Sequence, residues 1–477
     1  MLGRNLIRAT SACLFLFFIA MPVIPALSAP LSDEPALSAP LSDEKVAAYS
    51  RHILLGSPDE KEHALKELVE RGSSDVAATM ILAMRFNRDN PALVEAFQAL
   101  TKSTADNWFD AMLWQERNAD VVPHPSFRYL KIELFSRIDP EFLRFVGGPR
   151  SLPENMKIRL EEITWGGVRV DGIPSLDNPN LIQASDARYL QDNDLIFGVA
   201  INGDIRAYPL RIMGWHEMFN EVIGGVPVAL AYCTLCGAGI LFETDIEGQD
   251  TPLVFGSSGF LYRSNKLMFD RQTDSLWNQF TGEPINGPLV DSGIKLKIRP
   301  VVITSWAEWK KKHPQTKVLS LDTGHARDYA SGAVYNSYFS SPDLMFPAVV
   351  SGQDKIKPKD YVFGIRDVGA SKAWPVMAFR DGAVINDSIG ERNVVLIGDT
   401  ATRTVRAYDR GNLEFQKTEN MAKIAGSGGI WDITEEFISS PEGQKLSRIA
   451  GHIVYWFAWD NYIGVKSDLY SSSDTKN

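Results

Sequence analysis

The sequence predicts an α+β fold: an N-terminal all-helical hairpin array, then a β-rich module that occurs twice. Three observations carry this. Apolar residues recur at helical spacing from Glu44 to about Phe145. After GGPRSLPEN (147–155), short β-rich runs bounded by Gly, Pro, Asn and Asp take over. Residues 361–399 then repeat residues 195–233 without a gap, at a constant offset of 166 and with ten of 39 positions identical.

Taken in order, the chain opens on an address. Arg4 and Arg8 precede the apolar run ACLFLFFIA (12–20), which ends in the Pro-broken MPVIPALSA. A basic start, a short apolar core and a small-residue exit predict a secretory signal peptide over 1–28, cut after Ser28, the alternative being an uncleaved anchor. PALSAPLSDE then occurs twice in succession (25–34 and 35–44), so 29–44 reads as a disordered Ala/Ser/Pro linker. No further stretch of about 20 apolar residues follows, so no integral span is expected after signal cleavage. The expected location is periplasmic or secreted.

The helical domain is assigned to 45–150 from VAAYSRHILL, HALKELVE, VAATMILAM and ALVEAFQAL, separated by GSPDE, RGSSD and NRDNP; SPD and SSD are good N-cap sequences. Its Trp108 and Trp114 read as core, and its surface is a candidate for a protein partner. The two β-rich repeats are assigned to 160–313 and 320–465. Pairs such as Gly198/Gly364, Pro209/Pro375 and Asn220/Asn386 occur in both copies and so belong to the fold, the Asn pair being expected at a helix end. SLW (275–277) has an echo in GIW (429–431), and WAEW (306–309) in WFAW (456–459), which makes these tryptophans core.

Composition narrows the function. With 49 basic and 59 acidic side chains the formal charge is −10, and no long Lys/Arg run occurs, so nucleic acid is not an expected partner. Of three cysteines, Cys13 falls in the signal, and the mature chain keeps only Cys233 and Cys236, in one CxxC. A scaffold of structural disulfides is thereby excluded.

In the second copy His216, Cys233 and Cys236 correspond to Gly382, Asp399 and Thr402, so three ligand or nucleophile types vanish together. VPVALAYC runs into CTLCG and returns as GILFET, a turn between two strands. That context resembles a metal knuckle more than the helix start of thioredoxin-type pairs, which lowers a thiol pKa. Two cysteines exclude an all-cysteine tetrathiolate. His216, in RIMGWHEMFNEVIG (211–224), read as a helix with Asn220 on the same face, could join them as acid/base or as third ligand of copper or zinc. Glu217 lies about 100° away around such a helix and is a supporting candidate. Tyr262, Arg263, Ser264, Asn265, Asp270, Arg271 and Gln279 could line a pocket beside the CxxC hairpin, with Asp270–Arg271 read as a structural ion pair. Neither GxSxG nor GxxxxGK[ST] occurs.

GIP (172–174), RAYPLRIMGWHEMFN, YCTLCG and SGFLYRSNKLMFDRQTDSLWNQ together resemble the bacterial domain-of-unknown-function family 3179, over about 160–465. The resemblance implies that some members carry selenocysteine in place of a cysteine, which would concern Cys233 or Cys236 and would make the pair redox-active there. Three readings stay open. The first is an exported redox protein cycling Cys233 and Cys236 with His216, acting on a redox partner or small-molecule substrate by thiol–disulfide or peroxide chemistry. The second is a copper or zinc protein using the same three residues. The third is an interaction module without catalysis.

Overall fold

Residues 41–87, 90–148, 151, 155–351, 356–367, 369–464 and 467–471 are described in a computed structural model. The segment read as a signal peptide and most of that read as a linker lie outside these residues. Ser42 caps the first helix, Asp43–Leu55, through the amide of Lys45, so helix begins just inside the segment read as linker. Pro58–Arg71 opens on a capping box between Ser57 and Glu60 and stops at Gly72, whose φ of 74° ends a helix without a Cβ clash. Asn90 and Asn107 cap Pro91–Thr101 and Trp108–Arg117 in the same way. These helices and Ser126–Ile138 surround Ala77–Phe86, which is buried along most of its length. Phe142 then stacks on Phe260 at 4.5 Å, fastening the helical region to the β-rich module.

The module is duplicated in three dimensions. In the first copy, Leu195–Ile201 pairs antiparallel with Val302–Ser305 and with Asp204–Pro209, which pairs parallel with Lys317–Leu319. In the second, Tyr361–Asp367 lies between His452–Tyr455 and Ala370–Pro375, and the latter pairs parallel with Ser467–Leu469. Each unit leads into an antiparallel meander. One meander comprises Met218–Ile223, Val226–Cys233 and Ala238–Glu243; the other comprises Ala383–Ile389, Arg392–Asp399 and Thr404–Asp409.

Residues common to both copies hold equivalent contacts. A Cβ at Gly198 would overlap the Trp309 ring, and one at Gly364 would overlap Trp459. The indole N–H groups of these tryptophans donate to Thr316 (3.0 Å) and Ser467 (2.7 Å). Arg206 pairs with Glu221 at 2.9 Å and Lys372 with Asp387 at 2.8 Å. Tyr208 and Trp374, two residues further along each strand, donate to the same two carboxylates.

Asn220 and Asn386 correct the reading from sequence: both sit in strands, not at helix ends. Each amide clamps one backbone residue, Phe255 and Phe415 respectively, accepting its N–H and donating to its carbonyl. Those phenylalanines meet Trp277 and Trp431 edge-on at 5.4 and 5.3 Å. Trp277 and Trp431 of the short SLW and GIW echoes are therefore equivalent core positions, while Ile430 is exposed.

Because Gly198 and Gly364 sit under indole rings, Gly198→Ala and Gly364→Ala should each lower unfolding free energy by about 1–3 kcal/mol. Urea denaturation of the purified chain checks this; a neutral result at both positions would remove the close-approach explanation.

Candidate functional site

The strand Val226–Cys233 is buried from Val228 onward and ends at the first cysteine. Cys236 N–H returns to Cys233 O (3.2 Å) and Gly237 N–H to Thr234 O (3.2 Å), and the chain leaves as Ala238–Glu243. This is the strand–turn–strand setting expected for CTLCG. Both cysteines are free thiols, 2% and 0% exposed.

A second hairpin closes over the sulfurs. Phe255–Tyr262 and Asn265–Asp270 are joined by Arg263 and Ser264, with φ of 48° and 66°. Positive φ at both central residues is the turn that Asn-Gly normally makes, and side chains there strain the backbone. The turn brings the Ser264 carbonyl to 3.3 Å from Cys236 Sγ and 3.9 Å from Cys233 Sγ. Asn265 Nδ2 donates to Cys236 Sγ (3.4 Å) and to Gln279 Oε1 (2.8 Å), while Gln279 Nε2 donates to Ala231 O (2.8 Å) and Ala238 O (3.3 Å). Ser264, Asn265 and Gln279 thus belong to the site.

Burial raises both thiol pKa values, but unequally in effect. On Cys233 it is outweighed by the hydrogen bond from Cys236 and by the backbone amides of Lys266 and Cys236, so Cys233 falls below the ordinary thiol value. On Cys236, burial and the neighbouring Cys233 charge both act upward, and its pKa lies well above that value. Cys233 is therefore the more readily ionised thiol of the pair, although the Glu217 carboxylate acts against it.

A break in the expected helix separates His216 from Glu217. The expected helix over 211–224 ends at His216: Leu210–His216 is helical, Glu217 turns left-handed (φ 53°), and Met218–Ile223 is a strand. His216 faces away from the thiols. Its Nδ1 donates to Pro174 O (2.9 Å), which fixes Nε2 as the acceptor for the Tyr329 hydroxyl (2.6 Å). Both ring nitrogens of the residue expected as acid/base or third ligand are thus engaged elsewhere. Among the described residues, no three His, Cys, Asp or Glu side chains are grouped to hold a metal ion.

Glu217, by contrast, enters the site. Its carboxylate pairs with Lys266 at 3.2 Å, both side chains being almost fully buried, and accepts from Thr234 (2.7 Å) and Tyr335 (3.4 Å). Glu217, Cys233, Thr234, Lys266 and Tyr335 line a narrow cavity of about 40 Å³, room for a few waters or a small reactant. The sequence pattern does not single out Thr234 or Tyr335, and it gives only one signal for Lys266. That signal is a lysine inside the apolar strand NKLMFD, because a buried ammonium requires a partner.

The remaining candidates lie elsewhere. Tyr262 lines a separate groove with His124 and Arg128. Arg263 pairs with Glu162 at 2.7 Å. Asp270 and Arg271 are not paired with each other: Asp270 accepts from Thr273 and Trp277, and Arg271 binds Asp171 at 2.8 Å.

Fold and site together define an α+β protein whose duplicated module holds a buried dithiol in its first copy alone. Residues 170–465, well over half of the chain, match the family model described as "Protein of unknown function (DUF3179)", and the chain belongs to that family. No curated protein and no solved structure matches it. Among the described residues, no helix is long and apolar enough to cross a membrane.

Burial, the first cause, lowers the His216 pKa from 6.5 to about 4. The unfolded chain binds that proton more readily, so the stability contributed is full above about pH 6.5 and is lost as pH falls toward 4. A loss of up to about 3 kcal/mol is expected over that window. His452, also buried and shifted down, contributes in the same direction. His216→Gln should flatten the pH slope of denaturation midpoints in part; an unchanged slope would contradict the assignment.

Proposed function

We propose that the protein is an exported thiol oxidoreductase that reduces a small hydroperoxide, with Cys233 as attacking thiolate and Cys236 as resolving thiol. One observation carries the choice of substrate: both sulfurs are buried, and Cys233 borders a cavity of only about 40 Å³. A disulfide on a protein surface does not fit there, whereas a small peroxide does. The depressed pKa of Cys233 suits the first step, since the thiolate is the nucleophile. The N-terminal stretch with Arg4, Arg8 and its apolar run, read as a signal peptide, supports export.

In this reading Cys233 Sγ attacks the terminal peroxide oxygen and the O–O bond breaks. The sulfur becomes a sulfenic acid, and the alcohol leaves after taking a proton. Cys236 then attacks the Cys233 sulfur, forming the disulfide and releasing water. An external dithiol returns the two electrons. Lys266, held by Glu217, sits beside the cavity as the proton source for the leaving oxygen, and Tyr335 also lines it. Glu217 and Lys266 thus take the part expected of His216. The copper or zinc reading has less support, because His216 is committed to Pro174 and Tyr329.

Equimolar hydroperoxide followed by mass spectrometry tests the proposal. The wild type should lose both thiols and gain a Cys233–Cys236 disulfide. Cys236→Ser should stop at a sulfenic acid on Cys233 that a carbon-acid probe traps, and Cys233→Ser should not react. Reaction first at Cys236, or no reaction of the folded wild type under excess peroxide, would overturn it.

A companion pair separates chemistry from stability. Lys266→Met leaves the Glu217 charge buried alone and should cost about 3–5 kcal/mol. Adding Glu217→Gln should restore most of that stability while peroxide reduction stays slow. Full activity in the stable double variant would remove both residues from the mechanism.

A further inference from the structure

The second copy carries a cleft of its own at the place equivalent to the dithiol. The turn after Arg392–Asp399 matches the CTLCG turn in length and register, so Asp399 and Thr402 occupy the positions of Cys233 and Cys236. Around the first turn the space is filled: Tyr338 donates to Leu235 O (2.7 Å), and a Cβ at Gly237 would already meet Tyr361 and Tyr455. Around the second there is a cleft of about 600 Å³, the size of a small-molecule site.

Its lining has not decayed to a neutral filling. At the offset of 166, Ala238 and Ile240 give way to Thr404 and Arg406. At the offset of 150 that relates the Trp309 and Trp459 helices, half-buried Tyr462 gives way to Lys312. Lys312, Arg406 and, behind them, Arg448 all converge on one buried carboxylate, Glu435, at 2.9, 2.8 and 2.5 Å. His313 lies 3.5 Å from the same carboxylate. Three cations face one anion at the floor. The lining also holds the exposed Glu308, Glu419 and Lys311 and the half-buried Asp399, and Glu308 acts on Arg406. Thr402 and Thr404, 2.7 Å apart, place hydroxyls between wall and floor.

We infer that this cleft binds a small oxyanion, a phosphate or carboxylate group, seated against Lys312 and Arg406. The site is separate from the thiol chemistry. Burial, and after it the neighbouring Arg406 and Arg448 charges, lower the Lys312 pKa to about 8 against the pull of Glu435.

Calorimetric titration of the full mature chain with inorganic phosphate, and separately with succinate, in chloride buffer at neutral pH tests this. One saturable site is expected, with Kd of about 1 mM or tighter. Preference between the two probes tells whether the natural group is a phosphate or a carboxylate. Lys312→Gln should weaken binding about tenfold. Thr402→Trp, which fills the cleft without touching the Glu435 cluster, should abolish it, and Cys233→Ser should leave it unchanged. No saturable binding of either probe to folded wild type, or binding unaltered in Thr402→Trp, would overturn the inference.

Discussion

The two copies of the β-rich module rest on a contact that only glycine permits. An indole lies flat against the strand where Leu195–Ile201 and Tyr361–Asp367 have no side chain, at Gly198 and Gly364. That contact seats the helix Trp306–Lys312 on one copy and Trp456–Ile463 on the other. With the helices seated, the strands that precede them reach across to the opposite meander. Thr404 donates to Thr304 at 2.8 Å, and Tyr455 N–H donates to Cys236 O at 2.8 Å. Each copy therefore supplies a wall of the other's turn, and the dithiol depends on residues more than two hundred positions away.

Duplication explains why so much of the fold is legible in the amino-acid sequence. Residues that serve the fold are written twice, so Gly198, Trp309, Phe197 and Asn220 separate from Cys233 and Cys236 by their presence in the second copy. The thiol pair and its strand–turn–strand setting follow directly. The kind of element holding Asn220 does not. A side chain that clamps a neighbouring backbone residue looks the same in sequence whether it caps a helix or bridges two strands.

The break between His216 and Glu217 is hidden for a different reason. Helical spacing runs through MGWHEMFN, and nothing there announces a stop: Glu217 adopts φ 53° without being Gly or Asn. One residue of left-handed backbone sends adjacent side chains to opposite sides, the imidazole toward Pro174 and Tyr329, the carboxylate toward the thiols. Tyr335 is equally hidden, because it comes from the connector between the copies, where the repeat offers no second reading. Lys266 is the exception, since an ammonium in a strand of buried apolar residues demands a counter-charge.

Electrostatics then divides the two turns. At the first, Glu217 and Lys266 are matched one to one, and Cys233, where backbone amides meet the sulfur, is the thiol whose pKa falls. At the second, one carboxylate faces three cations, and the cavity is about fifteen times larger. A buried ion pair is expensive to desolvate unless its partners are complete. Drift alone would have favoured apolar replacements such as those the first copy keeps at Ala238 and Ile240. Arg406 and Lys312, gathered with Arg448 on one carboxylate beside an open cleft, fit a site that is completed from outside the chain.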